Sequence, residues 1–488
     1  MILSILRSLD YKEQFQSWDY NKTWRSIIMI IIVCVVMLIA NVLRRKIPFL
    51  RKILLPTAVI AGFIGLLIKY LLINVQIDGI PIIDNNFYQT ILYHSIAIGF
   101  IALGLKSTQS ESNNQNKKNT SATKSGLLIV STYLIQGVIG VGLTIGLAYL
   151  FKDVAPFAGI LLPMGFGQGP GQAYGVGITL ETLGGFKGGE AFGLAIASLG
   201  FVWACIPGVI YLNYLSKKGQ IRKAKEEVAD HKLLSEVETK DEIPLTEAVD
   251  KFTIQICFVG IIYLITFGFV AGLSAIIDAS HIDFLIKNIK PLVWNFNFIF
   301  AILFTLLFKK FIGLLRKTKL MKRQYTNDYL LNRISGLAFD IMITTSIISI
   351  NVESLKSFGL IIALIVLSTV GGIITFIYLK FACKKLYPEY EHEAMAGMFG
   401  MLTGTVSTGI ALLREIDPNF ETPAADDLVL GSSTAVIFGG PILVIIGLIY
   451  LPEWYWIWGS LVAMIIFFLI TWVILFPKRR KKVNKDSR

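Results

Sequence analysis

Charge is scarce in this chain of 488 residues. Asp, Glu, Lys and Arg make up 16% of it, where a soluble domain carries about 25%. Mean hydropathy is +0.64 and 54% of the residues are hydrophobic. With apolar runs of about 20 residues recurring along the whole length, a soluble domain is excluded and a polytopic membrane protein is indicated. Cysteine is rarer still. Cys34, Cys205, Cys257 and Cys383 stand singly in or at the ends of separate apolar segments, a spacing that gives neither a disulfide framework nor a metal site. The first 25 residues lack the apolar core of a cleavable signal peptide. The spans also lack a His-x-x-x-His pair or paired acids, and there is no nucleotide fingerprint. No enzyme and no organic cofactor are expected. The net charge of +13 does not point to nucleic acid, because the Lys and Arg lie in short loops between apolar runs.

What is present is glycine in one dense cluster. Gly165-Phe166-Gly167-Gln168-Gly169-Pro170-Gly171-Gln172 lies in a stretch without charge from 155 to 180. A stable helix does not tolerate that density of Gly with a Pro. Irregular backbone at membrane depth occurs only where it is buried in protein or lines a wet cavity. The stretch therefore reads as the tip of a re-entrant hairpin, 157–178, although a Gly-rich surface loop has the same composition.

Spans are expected at 26–43, 53–73, 88–105, 126–151, 189–214, 252–276, 292–309, 331–352, 357–380, 428–450 and 455–476, with a second hairpin at 394–413. If the spans alternate from an outside N-terminus, 36 of the 46 Lys and Arg fall on the cytoplasmic side, as the positive-inside rule requires. Counting either hairpin as a full span would spoil that agreement. The segment 215–251 carries eight basic and nine acidic residues and reads as a solvated cytoplasmic linker. The Ser-, Asn-, Thr- and Lys-rich loop 106–125 reads as flexible.

The two halves look related. The Gly-rich segments 165–177 and 397–409 are offset by 232 residues, and Ser198 and Pro207 match Ser432 and Pro441 at an offset of 234. Five spans per half force opposite orientations, and inverted repeats with broken helices are the architecture of secondary transporters. The expected class is all-α, with two inverted five-helix repeats, each with a re-entrant hairpin, and one extra C-terminal transmembrane helix. The units are an extracytoplasmic segment 1–25, a first repeat 26–214, the linker, a second repeat 252–450, the extra helix 455–476 and a basic cytoplasmic tail 477–488.

The second stretch places Thr403, Gly404, Thr405, Ser407 and Thr408 together, and Arg414 follows. Hydroxyl and carbonyl oxygens suit sodium, and amides at a broken helix end suit a carboxylate. Small residues at this spacing also serve close helix packing. Together these features resemble the sodium/glutamate symporter family and its wider superfamily of ion-coupled carriers, over roughly residues 26–450. The likeness is carried by 165–177 and 397–418. It implies two inverted five-span halves, a central cytoplasmic loop, re-entrant loops from opposite sides, sodium coupling, glutamate as substrate, a homodimer and a cell-membrane location. The loops depart from a Gly-Gly-x-Gly form: here they read Gly-Phe-Gly-Gln-Gly-Pro-Gly and Gly-Met-Phe-Gly. Fold and ion coupling therefore carry over better than the substrate does.

The expected substrate-binding residues are Gln168, Gly169, Gly171, Gln172, Thr403, Gly404, Thr405, Ser407, Thr408 and Arg414. Arg414 serves equally as a positive-inside anchor. Asp340, Thr405 and Ser432 are the expected sodium ligands, with no other metal. Asp340 lies mid-span, where an acid is costly and is functional by default, as a sodium ligand, a proton carrier or an ion-pair partner. A structural hydrogen bond is the alternative. His94 reads as a packing residue, and Glu181 and Glu190 as solvated at the outer mouth. Trp454, Tyr455, Trp456 and Trp458 read as an interfacial belt. The functional expectation is sodium-coupled symport of a small organic anion by alternating access. The alternatives are a sodium- or proton-coupled carrier of another carboxylate or anion with the same fold or, in a different class, a channel or a membrane-embedded enzyme.

Overall fold

The computed structural model describes residues 20–72, 76, 77, 80, 81, 83–106, 115–221, 250–318, 321, 325–418 and 421–477. Residues 222–249, most of the expected linker, lie outside them, as do 1–19 and 478–488. The chain is an all-helical, multi-pass membrane protein. Its helices are α1 Tyr20–Lys46, α2 Thr57–Leu72, α3 Asn85–Leu105, α4 Gln115–Leu150, α5 Pro170–Thr182, α6 Gly189–Lys217, α7 Lys251–Ala279, α8 Asn297–Lys317, α9 Asp328–Ser349, α10 Phe358–Leu386, α11 Glu391–Thr403, α12 Val406–Arg414, α13 Ala424–Phe438, α14 Gly440–Ile449 and α15 Trp454–Leu475. Two strands of two residues, Gln76–Ile77 and Ile80–Pro81, pair between α2 and α3.

Nine helices among the described residues are long and apolar enough to cross a membrane. Each matches one of the eleven expected spans. The expected span 428–450 is instead a bent pair, with 55° between its two halves. Pro441 stands in the first turn of α14, where a missing N–H costs nothing to that helix but prevents α13 from running through. The span at 53–73 is a helix of 16 residues, α2. The loop 106–125 departs from expectation: apart from Lys106, its described residues, 115–125, are the start of α4. Once a long apolar helix is nucleated, polar residues at its end extend it at small cost.

Both expected hairpins are helix–break–helix segments. In the first, a 3-10 turn Ala158–Ile160 and a π-helical turn Pro163–Gly167 lead to a break at Gln168 and Gly169, and α5 follows. In the second, α11 and α12 are separated by Gly404 and Thr405. The glycines are thus more helical than their density suggests. Gly165, Gly167, Gly171, Gly397 and Gly400 all sit within helical turns, where the missing side chains let elements approach. A Cβ on Gly400 would lie 2.8 Å from Gly409 Cα, so α11 and α12 run side by side.

The two segments are rooted at opposite ends of the molecule. At one end, Phe157 packs on Phe186 (ring centroids 6.5 Å apart), Gly188 meets Ser354, Phe151 packs on Phe358, and Tyr149 stacks on Trp454. At the other end, Leu212, Leu215, Ile221, Ala396 and Leu412 form one cluster, with Leu54 and Ile416 against it. Helix α6 runs from the first group to the second over 29 residues, about 43 Å. Midway along α6, Gly165 packs on Ala197, and Gly200 lies against the Thr403 carbonyl. The two breaks therefore meet at the middle of the helix that joins the two ends.

Helices α4, α6 and α9 are the most buried of the nine, whereas α1, α7, α8 and α15 expose most of their apolar side chains. Exposed Leu264, Phe267, Leu303 and Leu469 suit a hydrocarbon solvent. The four cysteines are free. Glu181 and Glu190 are half-buried, not simply solvated. Glu181 accepts from the Glu190 amide at 3.0 Å in the first turn of α6, and Glu190 accepts from Gln89 at 2.5 Å. A carboxylate at a helix N-terminus offsets the positive end of its dipole.

Candidate functional site

The broken helices place their breaks in direct contact. Gly169 adopts φ +89°, ψ −178°, a combination confined essentially to glycine. A Cβ there would stand 3.3 Å from Thr405 Cγ2 and 3.7 Å from the Gly404 carbonyl. Residues more than two hundred positions apart in sequence thus form one junction, and a cavity of about 130 Å³ opens beside it.

One wall of this cavity is polar. It comprises Gly167 and Gln168 at the first break, Gln172 in the first turn of α5, Thr405 and Ser407 at the second break, Ser432 on α13 and Tyr133 on α4. Tyr133 donates to the Gly167 carbonyl at 3.1 Å and so fixes the end of the π turn. Gln172 is 5% exposed, and its side chain makes no hydrogen bond to another of the described residues. Neither Gly169 nor Thr405 caps its helix with a side chain, so the first turns of α5 and α12 both bring uncapped amides to the cavity. The rest of the lining is apolar and includes Phe100 from α3, Phe298 and Ile299 from α8, Phe339 and Met342 from α9, and Leu443 from α14. No charged side chain is among the described residues that line it.

Of the residues expected from sequence, Gln168, Gln172, Thr405, Ser407 and Ser432 line the cavity, and Gly169 and Gly404 form the junction behind it. Thr408 is buried with its hydroxyl 3.2 Å from that of Thr405. Thr403 is buried and donates back to the Phe399 carbonyl at 2.7 Å. Gly171 meets Ile96 of α3. Ser432 donates to the Leu428 carbonyl at 2.6 Å, which leaves its oxygen able to accept. Two residues are not brought in. Arg414 is exposed at the far end of α12, about 12 Å of helix from the cavity. Asp340 is exposed on the surface of the chain, although its neighbours Phe339 and Met342 reach the cavity. His94 meets Tyr263 at 2.5 Å, away from the cavity.

Several residues near the site have little or no signature in the sequence. Tyr133 and the aromatic wall carry no local signal, since an aromatic in an apolar span is ordinary. Asn295 donates to the Gly175 carbonyl and to Thr179 on α5, and Gln136 is fully buried beside Gly167. An uncharged amide inside or next to a span was the available signal.

The profile of the sodium/glutamate symporter family matches residues 24–422. The chain belongs to that family. The match ends before α13 and α14, which supply Ser432 and part of the apolar wall. No curated protein and no solved structure matches the chain. The family is one of transporters, and its activity is sodium-coupled symport of a glutamate-like substrate.

Proposed function

We propose that this member of the sodium/glutamate symporter family carries glutamate, or a closely related amino-acid anion, together with sodium, by alternating access around the junction of the two broken helices. One observation carries the reading: two uncapped helix N-termini and the unpartnered amide of Gln172 face one cavity. That arrangement offers amide donors and positive dipole ends to a carboxylate without a basic side chain. The apolar wall then receives the methylene body of the substrate.

The inverted repeat is supported by a contact pattern that survives exchange of the halves. Helix α2 packs on α9 through Gly62 and Ile347, and its counterpart α8 packs on α3 through Thr305 and Gly104. Helix α13 packs on α4 through Gly431 and Ser125, and its counterpart α6 packs on α10 through Trp203 and Gly372. On this reading the two hairpins are re-entrant from opposite membrane faces, the cavity lies near the bilayer midplane, and the hairpin unit moves against a dimeric scaffold in the cell membrane.

The test is uptake of labelled glutamate into proteoliposomes holding the purified protein. Saturable uptake driven by an inward sodium gradient, and abolished when potassium replaces sodium, is expected. Uptake that ignores sodium, or conductance far above carrier turnover, overturns the proposal. Competition by other carboxylates then ranks the substrates.

A further inference from the structure

Gln136 lies on α4, directly behind the first break, and is fully buried. Its Nε2 donates to Thr375 Oγ1 on α10 at 2.9 Å and to the Leu402 carbonyl in the last turn of α11 at 3.0 Å. The orientation of this amide is forced. A carbonyl can only accept, and the Thr375 hydroxyl commits its proton to the Gly371 carbonyl at 2.7 Å. Both partners therefore require a nitrogen. The other end of the amide, Oε1, is then an acceptor, and it is buried with no donor. An orphaned acceptor of this kind calls for a physical explanation.

The surroundings supply one. Oε1 faces Gly167, whose Cβ would lie 3.2 Å from it, at the end of the π turn. Leu402, on the nitrogen side, is the next-to-last residue of α11. Two helix C-termini thus converge on Gln136, where the ends of their dipoles carry partial negative charge; the Gly167 carbonyl accepts from Tyr133 and the Leu402 carbonyl from Gln136, and each keeps a second lone pair. The two N-termini of the same broken helices face the cavity instead. Among the described residues, no group of three or more His, Cys, Asp or Glu is placed to hold a metal ion. Neutral amide and carbonyl oxygens suit a hard monovalent cation.

We infer that Gln136 Oε1 is a ligand of the coupling sodium ion, held with main-chain carbonyls at the ends of the π turn and of α11. This rests on the sodium-symport reading and adds to it the place of the ion. Gly167 lines the cavity on one side and meets Gln136 on the other. Substrate and sodium would share one break, and each would favour the other through opposite charge.

The test is a thermal-shift titration of the purified protein with sodium chloride, with choline chloride as the control for ionic strength. A ligand bound by the folded state alone raises Tm by mass action. Wild type is expected to respond to sodium and not to choline. Gln136→Met, which keeps the volume and removes the oxygen, should need at least about tenfold more sodium for half the response. Gln136→Asn, which withdraws the oxygen while keeping an amide, should show the same loss, and it serves if the Met variant does not fold. Thr375→Val, which removes one of the two acceptors that orient the amide, should lower Tm without sodium and raise the sodium half-point less than either Gln136 variant. A wild-type half-point in either Gln136 variant overturns the assignment, and Oε1 is then met by water. A wild type that ignores sodium overturns the symport reading itself, and this inference with it.

Discussion

On the proposed reading, two residues decide whether the cavity binds an anion. Gly169 holds a backbone conformation that costs other residues about 1–3 kcal/mol, and a Cβ there would press on Thr405 Cγ2 at 3.3 Å. Gly169→Ala is therefore expected to abolish uptake while expression and membrane insertion remain near wild type. Uptake assayed beside quantitative blotting checks this, and wild-type uptake would remove the junction from the mechanism. Gln172 presents a buried amide without a partner. A hydrogen bond to a charged group contributes about 1.5–3 kcal/mol, so Gln172→Leu should raise the substrate half-saturation by at least about tenfold at saturating sodium. Asp340 is the contrast. It lies on the exposed face of α9, and Asp340→Asn should leave substrate half-saturation unchanged. A change as large as that of Gln172→Leu would mean that Asp340 reaches the site in another state of the transporter.

The elements were legible from sequence where the physics is local. Spans announce themselves by length and hydropathy, and both breaks fall inside the stretches that Gly, Pro and small hydroxyl residues mark. The glycines within the arms misled in one respect: inside membrane protein, glycine serves close helix packing as readily as it breaks helices. Gln136 showed in the sequence only as an uncharged amide in an apolar span, with no periodic partner, and its meaning depends on α10 and α11 arriving beside it. Packing of the arms gives a prediction at this scale. A Cβ on Gly409 would lie 2.5 Å from the Gly397 carbonyl, whereas Gly268 on α7 has open space around it. Overpacking costs about 1–3 kcal/mol, so Gly409→Ala should lower Tm, and Gly268→Ala should leave it unchanged or raise it. Equal Tm values for the two variants would mean that α11 and α12 are not closely packed.

At the scale of the whole molecule, charge and contacts give two independent arguments for one grouping of the loops, and the charge rule alone predicts which group is cytoplasmic. The positive-inside rule assigns the loops around 217 and 384 to the cytoplasm and those around 152 and 356 to the outside. The structure groups residues by end without reference to charge. Phe151 packs on Phe358, and Gly188 meets Ser354, which puts 152 and 356 at one end. Leu212, Leu215 and Ile221 join Ala396 and Leu412 at the other. Helix α10 starts at Phe358 and ends at Leu386, so Lys384 lies at that second end, as Lys217 does at the close of α6. Cys34 and Cys257 are exposed and are replaced by Ala to give a silent background. Single cysteines are then introduced as Lys152→Cys, Lys356→Cys, Lys217→Cys and Lys384→Cys, all at exposed positions. A membrane-impermeant maleimide applied to intact cells should label the first two, and it should reach the last two only after permeabilisation. Labelling of Lys152→Cys without Lys356→Cys would break the opposed orientation of the halves. The reverse pattern for all four would keep the fold and invert it in the membrane, placing the feet of the first broken helix on the cytoplasmic side.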